Sequence, residues 1–212
     1  MSYKENLYKN ALEIVDKIYQ ESKYNPDIDL YRSFDVINSV NSNQIASKEW
    51  LVEKLLPHIN ADTEAVCILG GWYGITALML SECLPAHVVI DSIDCDPLAR
   101  EFGHRLVNKE NVNFITDDAG DWYFQYRDKY QLVINTSCEH MEPEDIKLMC
   151  TLKRDDAIVC FQGNNYHSIQ SHINTSESLE EFVGSLHLKT VIEKESLKAS
   201  NGAYDRFMVI GK

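Results

Sequence analysis

Residues 135–141, NTSCEHM, place an amide, two hydroxyls, a thiol, a carboxylate and an imidazole in one short run after an apolar segment. Polar side chains that follow a buried strand face the crevice where open α/β sheets bind ligands. Glu139 and His140 are therefore candidates for substrate binding or proton transfer, because histidine has the unperturbed pKa nearest neutral pH. The alternative is structural, with Glu139 capping the next helix and His140 serving as a satisfied structural histidine.

Metal binding and nucleophilic catalysis are two further chemistries for this region. Cys138, Glu139, His140, His167 and His172 include metal-ligand types, but a short Cys-x-His without a second tight pair is thin support for a metal site. We therefore expect no resident metal. Nothing in the sequence indicates that Cys138 is exposed or has a lowered pKa, so a nucleophilic role is not supported either.

A glycine-rich turn lies in the stretch VCILGGWYGITALML, residues 66–80. Gly70 and Gly71 permit positive φ or close approach of a ligand, and Gly74 lets a strand and a helix pack tightly. A dinucleotide fingerprint ending at Gly74 would need glycine at position 69, which is Leu69, and a phosphate loop would need a lysine that is missing nearby. The turn therefore predicts a ligand loop of neither class, with Trp72 inside it.

Carboxylates follow the next two strand-like runs. Asp94 ends the second run, and a carboxylate there can accept hydrogen bonds from both hydroxyls of a ribose. Asp96 suits a helix N-cap better, because Pro97 follows it at the first helical position. The third run leads into Asp117 and Asp118, of which one is expected to serve only the chemistry of the turn.

Alternation of strand-like and helix-like segments predicts the elements that position these residues. Strands separated by helices at this spacing indicate an α/β fold with a parallel sheet and right-handed crossovers. The last two strands flank an Asn201-Gly202 turn signal and predict an antiparallel hairpin at one side of the sheet. The predicted strands are residues 66–69, 88–94, 112–116, 131–135 and 157–163, and the predicted helices lie around 75–85, 97–108, 143–152 and 177–186.

The first 60 residues read differently and predict a helical preface ahead of a sheet domain at residues 61–212. One amphipathic helix is predicted over residues 3–22 and a second before Pro57, whereas residues 28–43 are mixed and polar and carry no predicted helix. The stretch NSNQIASKEW could supply Asn43, Gln44 and Lys48 to a lid over a ligand.

Composition narrows the function classes. The chain has 212 residues, with 20 basic against 33 acidic residues and a formal charge of −13, which opposes capture of nucleic acid or an anionic membrane surface. Six scattered cysteines, an N-terminus without an apolar signal region and the absence of a long apolar run favour a reduced cytoplasmic protein with a small-molecule substrate. The sequence gives no indication of the oligomeric state.

The order strand–GGWYG–helix, SIDCDP, VNFITDDA and YQLVIN resembles the class I S-adenosylmethionine-dependent methyltransferases over about residues 60–212. The resemblance implies a Rossmann-like sheet of seven strands, mostly parallel, whose reversed last strand is AYDRFMVIG. It departs from the family at Ile68, where an acidic residue is usual, and at Trp72, where the family carries its middle glycine.

S-adenosylmethionine is the cofactor that this resemblance implies. Its methionine part would lie against the turn at Gly70, Gly71 and Gly74, its ribose on Asp94, and its adenine on Asp118 and the backbone of Ala119. Trp72 or Tyr73 would lie against the sulfonium or the adenine, because a cation is attracted to a ring face. Asn135, the first polar residue after the fourth strand, would meet the transferred group together with Glu139 and His140, and residues 162–167 would belong to a substrate pocket.

The predicted activity is methyl transfer to a small polar metabolite. Because Ile68 and Trp72 alter the methionine end of the pocket, one alternative is an enzyme that cleaves or cyclises the cofactor or transfers its aminocarboxypropyl arm, with methylthioadenosine (MTA) as the product of that transfer. A second alternative is a non-catalytic, cofactor-binding subunit, which an exposed apolar face on the first helix would favour.

Overall fold

The computed structural model describes residues 3–27, 29–200 and 202–212, and one seven-stranded sheet runs through its centre. The strand order is β3-β2-β1-β4-β5-β7-β6, in which β1 to β5 are parallel and β7 runs antiparallel to both of its neighbours. The predicted Rossmann-like α/β sheet with its reversed last strand is confirmed. The strands are β1 Ala65–Leu69, β2 Val89–Asp94, β3 Val112–Thr116, β4 Leu132–Asn135, β5 Ile158–Asn164, β6 Val191–Lys198 and β7 Asp205–Gly211.

The helices are α1 Tyr3–Ser22, α2 Tyr31–Ser39, α3 Ser42–Leu55, α4 Ile75–Cys83, α5 Pro97–Val107, α6 Ala119–Tyr126, α7 Pro143–Thr151 and α8 Leu179–Leu186. Two of them, α2 and α6, were not predicted. The interpretation of residues 28–43 as a segment without a helix was wrong, since α2 lies within it. This helix buries only Val36 and Ser39 and has no capping side chain at Leu30, so its start carries no signal in the sequence. Among the described residues, no helix combines the length and apolar character that crossing a membrane requires.

The strands β1, β4, β5 and β7 are buried on both faces because helices cover the sheet from both sides, whereas the edge strand β6 is largely exposed. Successive side chains of β1 point to opposite faces, so Val66 and Ile68 join one hydrophobic layer while Cys67 and Leu69 join the other. The first layer packs against α1, α3, α4 and α5, and the second against α6, α7 and α8. This arrangement leaves the carboxyl edge of the sheet free for a site.

The helices upstream of β1 share the first of these layers. Of the predicted apolar stripe of α1, Leu7, Ala11, Ile14 and Ile18 are buried and Val15 packs against the core, whereas Tyr19 is exposed. Across the sheet edge, Trp50 of α3 donates its indole N–H to Glu195 of β6 at 3.0 Å. These helices and the sheet therefore pack into one core. The division of the chain into two parts at residue 60 stays a prediction.

The final hairpin, β6 and β7, closes the sheet beside β5. The antiparallel register places Asn164 opposite Arg206, which brings the end of β5 and the start of β7 to the same edge. Gly202 has a φ of 69°, as a turn residue requires, whereas Asn201, the other half of the predicted turn signal, lies outside the described residues. The hairpin therefore carries side chains to the carboxyl edge of β5.

Candidate active site

The glycine turn between β1 and α4 has left-handed backbone at three of its five residues. Gly70, Trp72 and Gly74 have φ values of 63°, 47° and 78°. A Cβ at Gly70 would lie 2.6 Å from Cβ of Ser137, whose hydroxyl donates to the Gly70 carbonyl at 3.1 Å. The turn after β1 is thereby held directly against the turn after β4, so both line one crevice.

Gly71 and Gly74 are needed for packing beneath the turn. A Cβ at Gly71 would overlap the hydroxyl of Ser92, and one at Gly74 would overlap the ring of Phe114. These glycines therefore let β1 and α4 approach β2 and β3 closely, as the sequence predicted for Gly74.

The two aromatic residues of the turn point in different directions. Trp72 lines the cavity described below, and its backbone N–H donates to Oδ2 of Asp94 at 2.8 Å. Tyr73 is fully buried behind it, stacked on Trp72 with ring centroids 5.1 Å apart and packed against Phe102 at 5.9 Å. Gly70, Gly71 and Trp72 therefore face the cavity, whereas Tyr73 and Gly74 lie outside its lining.

The carboxylates predicted at the strand ends lie on the same side of this cavity. Oδ1 of Asp94 accepts from the backbone N–H of Asp96 at 3.0 Å, so Asp94 braces the loops after β1 and β2. Oδ1 of Asp118 accepts from the N–H groups of Gly120 and Asp121 at 2.8 and 3.0 Å and caps α6. Asp96 caps α5, as predicted. Asp94 and Asp118 both line the cavity.

One cavity of about 690 Å³ collects the carboxyl ends of β1 to β5 under α3 and the final hairpin. Gly70, Trp72, Asp94 and Asp118, from the ends of β1 to β3, make up the part of the lining that we call the first wall. The second wall, which meets the first where Ser137 donates to Gly70, is rich in charged, amide and imidazole groups. Its residues include Gln44, Lys48, Thr136, Ser137, Glu139, His140, Asn164, Tyr166, His172, Tyr204 and Arg206.

A cluster of buried charged side chains belongs to the second wall. Glu139 is 4% exposed, its Oε1 accepts from the Asn164 amide at 2.6 Å, and Nη1 of Arg206 lies 3.8 Å from the same oxygen. Lys48 is 8% exposed and donates to Gln44. Burial lowers the pKa of Lys48 to about 7, with a further lowering by Arg206 that Glu139 opposes. The neutral form of this lysine is therefore accessible near physiological pH.

Two histidines stand beside this cluster in a fixed orientation. Nδ1 of His140 lies 3.1 Å from the carbonyl oxygen of Ser171, and Nδ1 of His172 lies 2.7 Å from that of Tyr166. Their rings meet edge to face with centroids 4.7 Å apart. Tyr166 stacks on Tyr204 of the hairpin at 4.9 Å, which anchors the segment after β5 over the cavity.

Several predicted residues lie away from the cavity. Asn135 is buried, and its Oδ1 accepts from the N–H of Ser137 at 2.9 Å, so it shapes the turn after β4. Asn43 accepts from the N–H of Ser200 at 3.0 Å, whereas its predicted companions Gln44 and Lys48 do line the cavity. His167 bonds Thr175 at 2.6 Å on the surface.

Sequence reasoning missed Arg206 and Tyr204 as site residues. The run AYDRFMVIG was predicted as a strand, but its contact with the cavity depends on pairing with β5, more than 40 positions earlier. No local pattern signals that pairing. Cys138, considered as a nucleophile and as a ligand, is buried in the second hydrophobic layer, and this burial raises the pKa of its thiol well above the ordinary value.

No protein-family model and no curated protein matches this sequence. Solved structures do match. The N-methyltransferase NodS from Bradyrhizobium japonicum WM9, in complex with S-adenosyl-l-homocysteine, aligns with a TM-score of 0.65 at 13% identity over 81% of this chain and 87% of its own. A geranyl diphosphate methyltransferase in complex with GPP and sinefungin gives a TM-score of 0.62 at 13% identity over 79% and 78% of the two chains.

A third match is MtNAS in complex with MTA and tNA, with a TM-score of 0.57 at 12% identity over 98% of this chain and 70% of its own. At these identities the likeness defines the fold. The chain has the class I methyltransferase fold, as the sequence resemblance implied.

Proposed function

We propose that this protein binds S-adenosylmethionine in the cavity and transfers its methyl group to a small polar acceptor. The observation that carries the proposal is the placement of Gly70, Asp94 and Asp118, from three neighbouring strand ends, on one wall of a cavity whose other wall is charged. NodS, which shares the fold, was crystallised with the demethylated form of this cofactor. The first wall would hold the cofactor and the second the acceptor.

The carboxylates keep capacity for the cofactor despite their backbone bonds. Each carboxylate oxygen has two lone pairs, so Asp94 can accept from ribose hydroxyls while it still holds Trp72 and Asp96. Asp118 caps α6 through Oδ1, and its Oδ2 would accept the adenine amino group. Ile68 is fully buried in the first hydrophobic layer, so the cofactor's ammonium group needs a partner elsewhere in the cavity.

Lys48 is suited to take the proton that methyl transfer releases. The nitrogen or oxygen of an acceptor N–H or O–H group would attack the methyl carbon with its lone pair, and the electron pair of the carbon–sulfur bond would pass to sulfur. A base would receive the proton of that N–H or O–H group. A base works best when its pKa lies near the operating pH, which the pKa of Lys48 at about 7 satisfies. Glu139 and Arg206 would orient a polar acceptor beside it, with catalysis mostly through positioning.

Calorimetry with S-adenosylmethionine and S-adenosylhomocysteine tests cofactor binding. Asp94→Asn should weaken binding about 10- to 100-fold, because hydrogen bonds to a charged acceptor are worth about 1.5–3 kcal/mol. Asp117→Asn is the matched control, since Asp117 is an exposed carboxylate at the next strand end that does not line the cavity. An absence of binding by the wild-type protein would overturn the proposal.

Transfer of the aminocarboxypropyl arm is a second candidate that one observation favours. MtNAS aligns with 98% of this chain, against 81% for NodS, so its likeness extends over the helices upstream of β1. The MtNAS structure contains MTA, the product expected of this transfer. Analysis of the products separates the two reactions: S-adenosylhomocysteine indicates methyl transfer, and MTA indicates transfer of the arm.

The apolar stripe of α1 bears on the non-catalytic alternative. Leu7, Ala11, Ile14 and Ile18 are buried in the core of this chain, whereas the apolar residues Tyr8, Leu12 and Tyr19 of the same helix are exposed, so the helix does not by itself decide against this alternative. Turnover by the isolated chain in the product assay would exclude a purely binding role.

A further inference from the structure

Three side chains on the charged wall of the cavity are gathered as ligands are around a metal ion. Glu139 and His140 lie in the short 3-10 turn after β4, and His172 lies in the segment after β5. One ligand atom from each residue falls within 4.8 Å of the other two. Two separate parts of the chain thus converge on one point beside the cavity.

Both imidazoles are oriented so that Nε2 is available for a metal. In each ring Nδ1 faces a backbone carbonyl, of Ser171 for His140 and of Tyr166 for His172, so Nδ1 carries the proton and donates it. That bond leaves the lone pair on Nε2 and fixes the ring. Histidines that bind metals are oriented by such a bond from their second nitrogen.

Glu139 supplies an independent sign of an occupant. Its side chain is 4% exposed, and Asn164 and Arg206 both lie against Oε1. Oε2 is buried and has no hydrogen-bond partner among the described residues. A buried carboxylate oxygen without a partner is costly, and a bound cation would satisfy it.

We propose that Glu139, His140 and His172 bind a divalent transition-metal ion at the edge of the cavity. Two imidazoles and one carboxylate form the ligand set of open zinc and iron sites, whereas magnesium and calcium prefer oxygen ligands alone. Ligand atoms at tetrahedral angles around such an ion are about 3.3 Å apart, so the three ligand atoms, now within 4.8 Å of one another, would have to draw closer when the ion binds. The remaining coordination positions would face the cavity and accept an oxygen or nitrogen atom of the acceptor.

This inference differs from the sequence-based expectation of no resident metal. That expectation weighed Glu139, His140 and His172 together with Cys138 and His167, and judged a short Cys-x-His without a second tight pair too weak a pattern. The structure packs Cys138 into the hydrophobic layer and leaves His167 outside the cluster, but it brings the other three side chains together. Metal binding also stands apart from cofactor binding, so it is measured without S-adenosylmethionine.

Titration of EDTA-treated protein with Co²⁺, followed by its visible absorption, and calorimetry with Zn²⁺ test the site. We expect one equivalent to bind, and His140→Ala and His172→Ala each to weaken binding by more than about a hundredfold, a larger effect than the loss of an outer-shell partner. His167→Ala is the matched control, because His167 lies in the same segment but outside the cluster.

X-ray absorption of the wild-type zinc complex provides a measurement that needs no variant. Backscattering from two imidazoles is expected. A wild-type protein that binds no metal, ligation without imidazole, or an affinity that both alanine variants retain would overturn the inference. An equal loss in His167→Ala would also overturn it, because the loss would then reflect the segment and not the three ligands.

Discussion

Lys48→Met should stabilise the protein, and by an amount that depends on pH. Lys48 is 8% exposed in α3, and the charged groups that face it are Arg206, which lowers its pKa, and Glu139, which raises it. Burial is the largest cause of the lowering to about 7. Methionine keeps the apolar stem and removes the ammonium group, so the variant no longer carries the cost of a buried charge.

The size of the effect follows from linkage. The unfolded chain holds a proton on this lysine up to the ordinary lysine pKa of 10.5, whereas the folded chain releases it near pH 7. This lysine therefore lowers the free energy of unfolding progressively as the pH falls from 10.5 to 7, and the loss stays nearly constant at lower pH. At about 1.4 kcal/mol per pH unit, the deficit is about 4 kcal/mol at pH 7 and about 2 kcal/mol at pH 9.

Urea unfolding of the wild type and of Lys48→Met at pH 7 and pH 9, both with EDTA, measures this difference. The stability advantage of the variant should shrink by about 2 kcal/mol between the two pH values, while a constant loss such as the bond to Gln44 cancels. Lys54→Met on the same helix is the control, since its partners Glu193 and Glu195 raise its pKa and no such change is expected. An advantage of Lys48→Met that is independent of pH would refute the reasoning.

Three further predictions concern packing, thiols and a buried hydrogen bond. Gly74→Ala should lower the free energy of unfolding, measured by chemical denaturation, by about 2 kcal/mol or more, because the left-handed backbone strains an alanine and its Cβ would overlap the ring of Phe114. Gly184→Ala is the control: Gly184 lies in open space on α8, so the free energy of unfolding should rise by up to about 1 kcal/mol. A thiol reagent should modify both Cys83 and Cys95 in the native protein, but Cys95 more slowly, because partial burial and a neighbouring carboxylate raise the pKa of its thiol. S-adenosylmethionine should protect Cys95, which lines the cavity, from the reagent. Equal rates for the two thiols, or no protection of Cys95, would contradict these expectations. Tyr130→Phe should cost about 1–3 kcal/mol, because its hydroxyl joins an indole N–H to a buried carboxylate of β2, and unchanged thermal unfolding would contradict this role.

The sheet could be predicted because buried parallel strands leave continuous apolar runs in the sequence. The two missed helices lack such a signal. Tyr31, Phe34 and Ile37 of α2 do recur at helical spacing, but this apolar face is exposed and polar residues stand between its members, so the segment reads as a mixed polar stretch. Helix α6 is short and aromatic, and its only clear mark is the N-cap Asp118, which the family resemblance assigned to adenine. Asp118 caps α6 and lines the cavity, and its role toward adenine stays a prediction.

The candidate site was predictable where it depends on strand ends and not where it depends on distant pairing. Asp94, Asp118 and Glu139 follow directly from their positions after strands. Tyr73 shares the glycine turn with Trp72, yet the turn's backbone sends it into the core, a direction that residue type does not reveal. Arg206 reaches the cavity only through the antiparallel register of β7 on β5.

The buried charges of the cavity come from widely separated parts of the chain: Lys48 from α3, Glu139 from the turn after β4 and Arg206 from β7. These three elements are far apart along the chain, so no short stretch of sequence contains two of them. The cavity therefore forms only when the long-range strand pairing is complete. A ligand that touches all three groups therefore binds the native state alone and raises the stability of the whole molecule in proportion to the logarithm of its concentration. Occupancy of the cavity and resistance to unfolding are in this protein two readings of the same equilibrium, so thermal-shift screening of candidate acceptors can identify a substrate before any reaction is known.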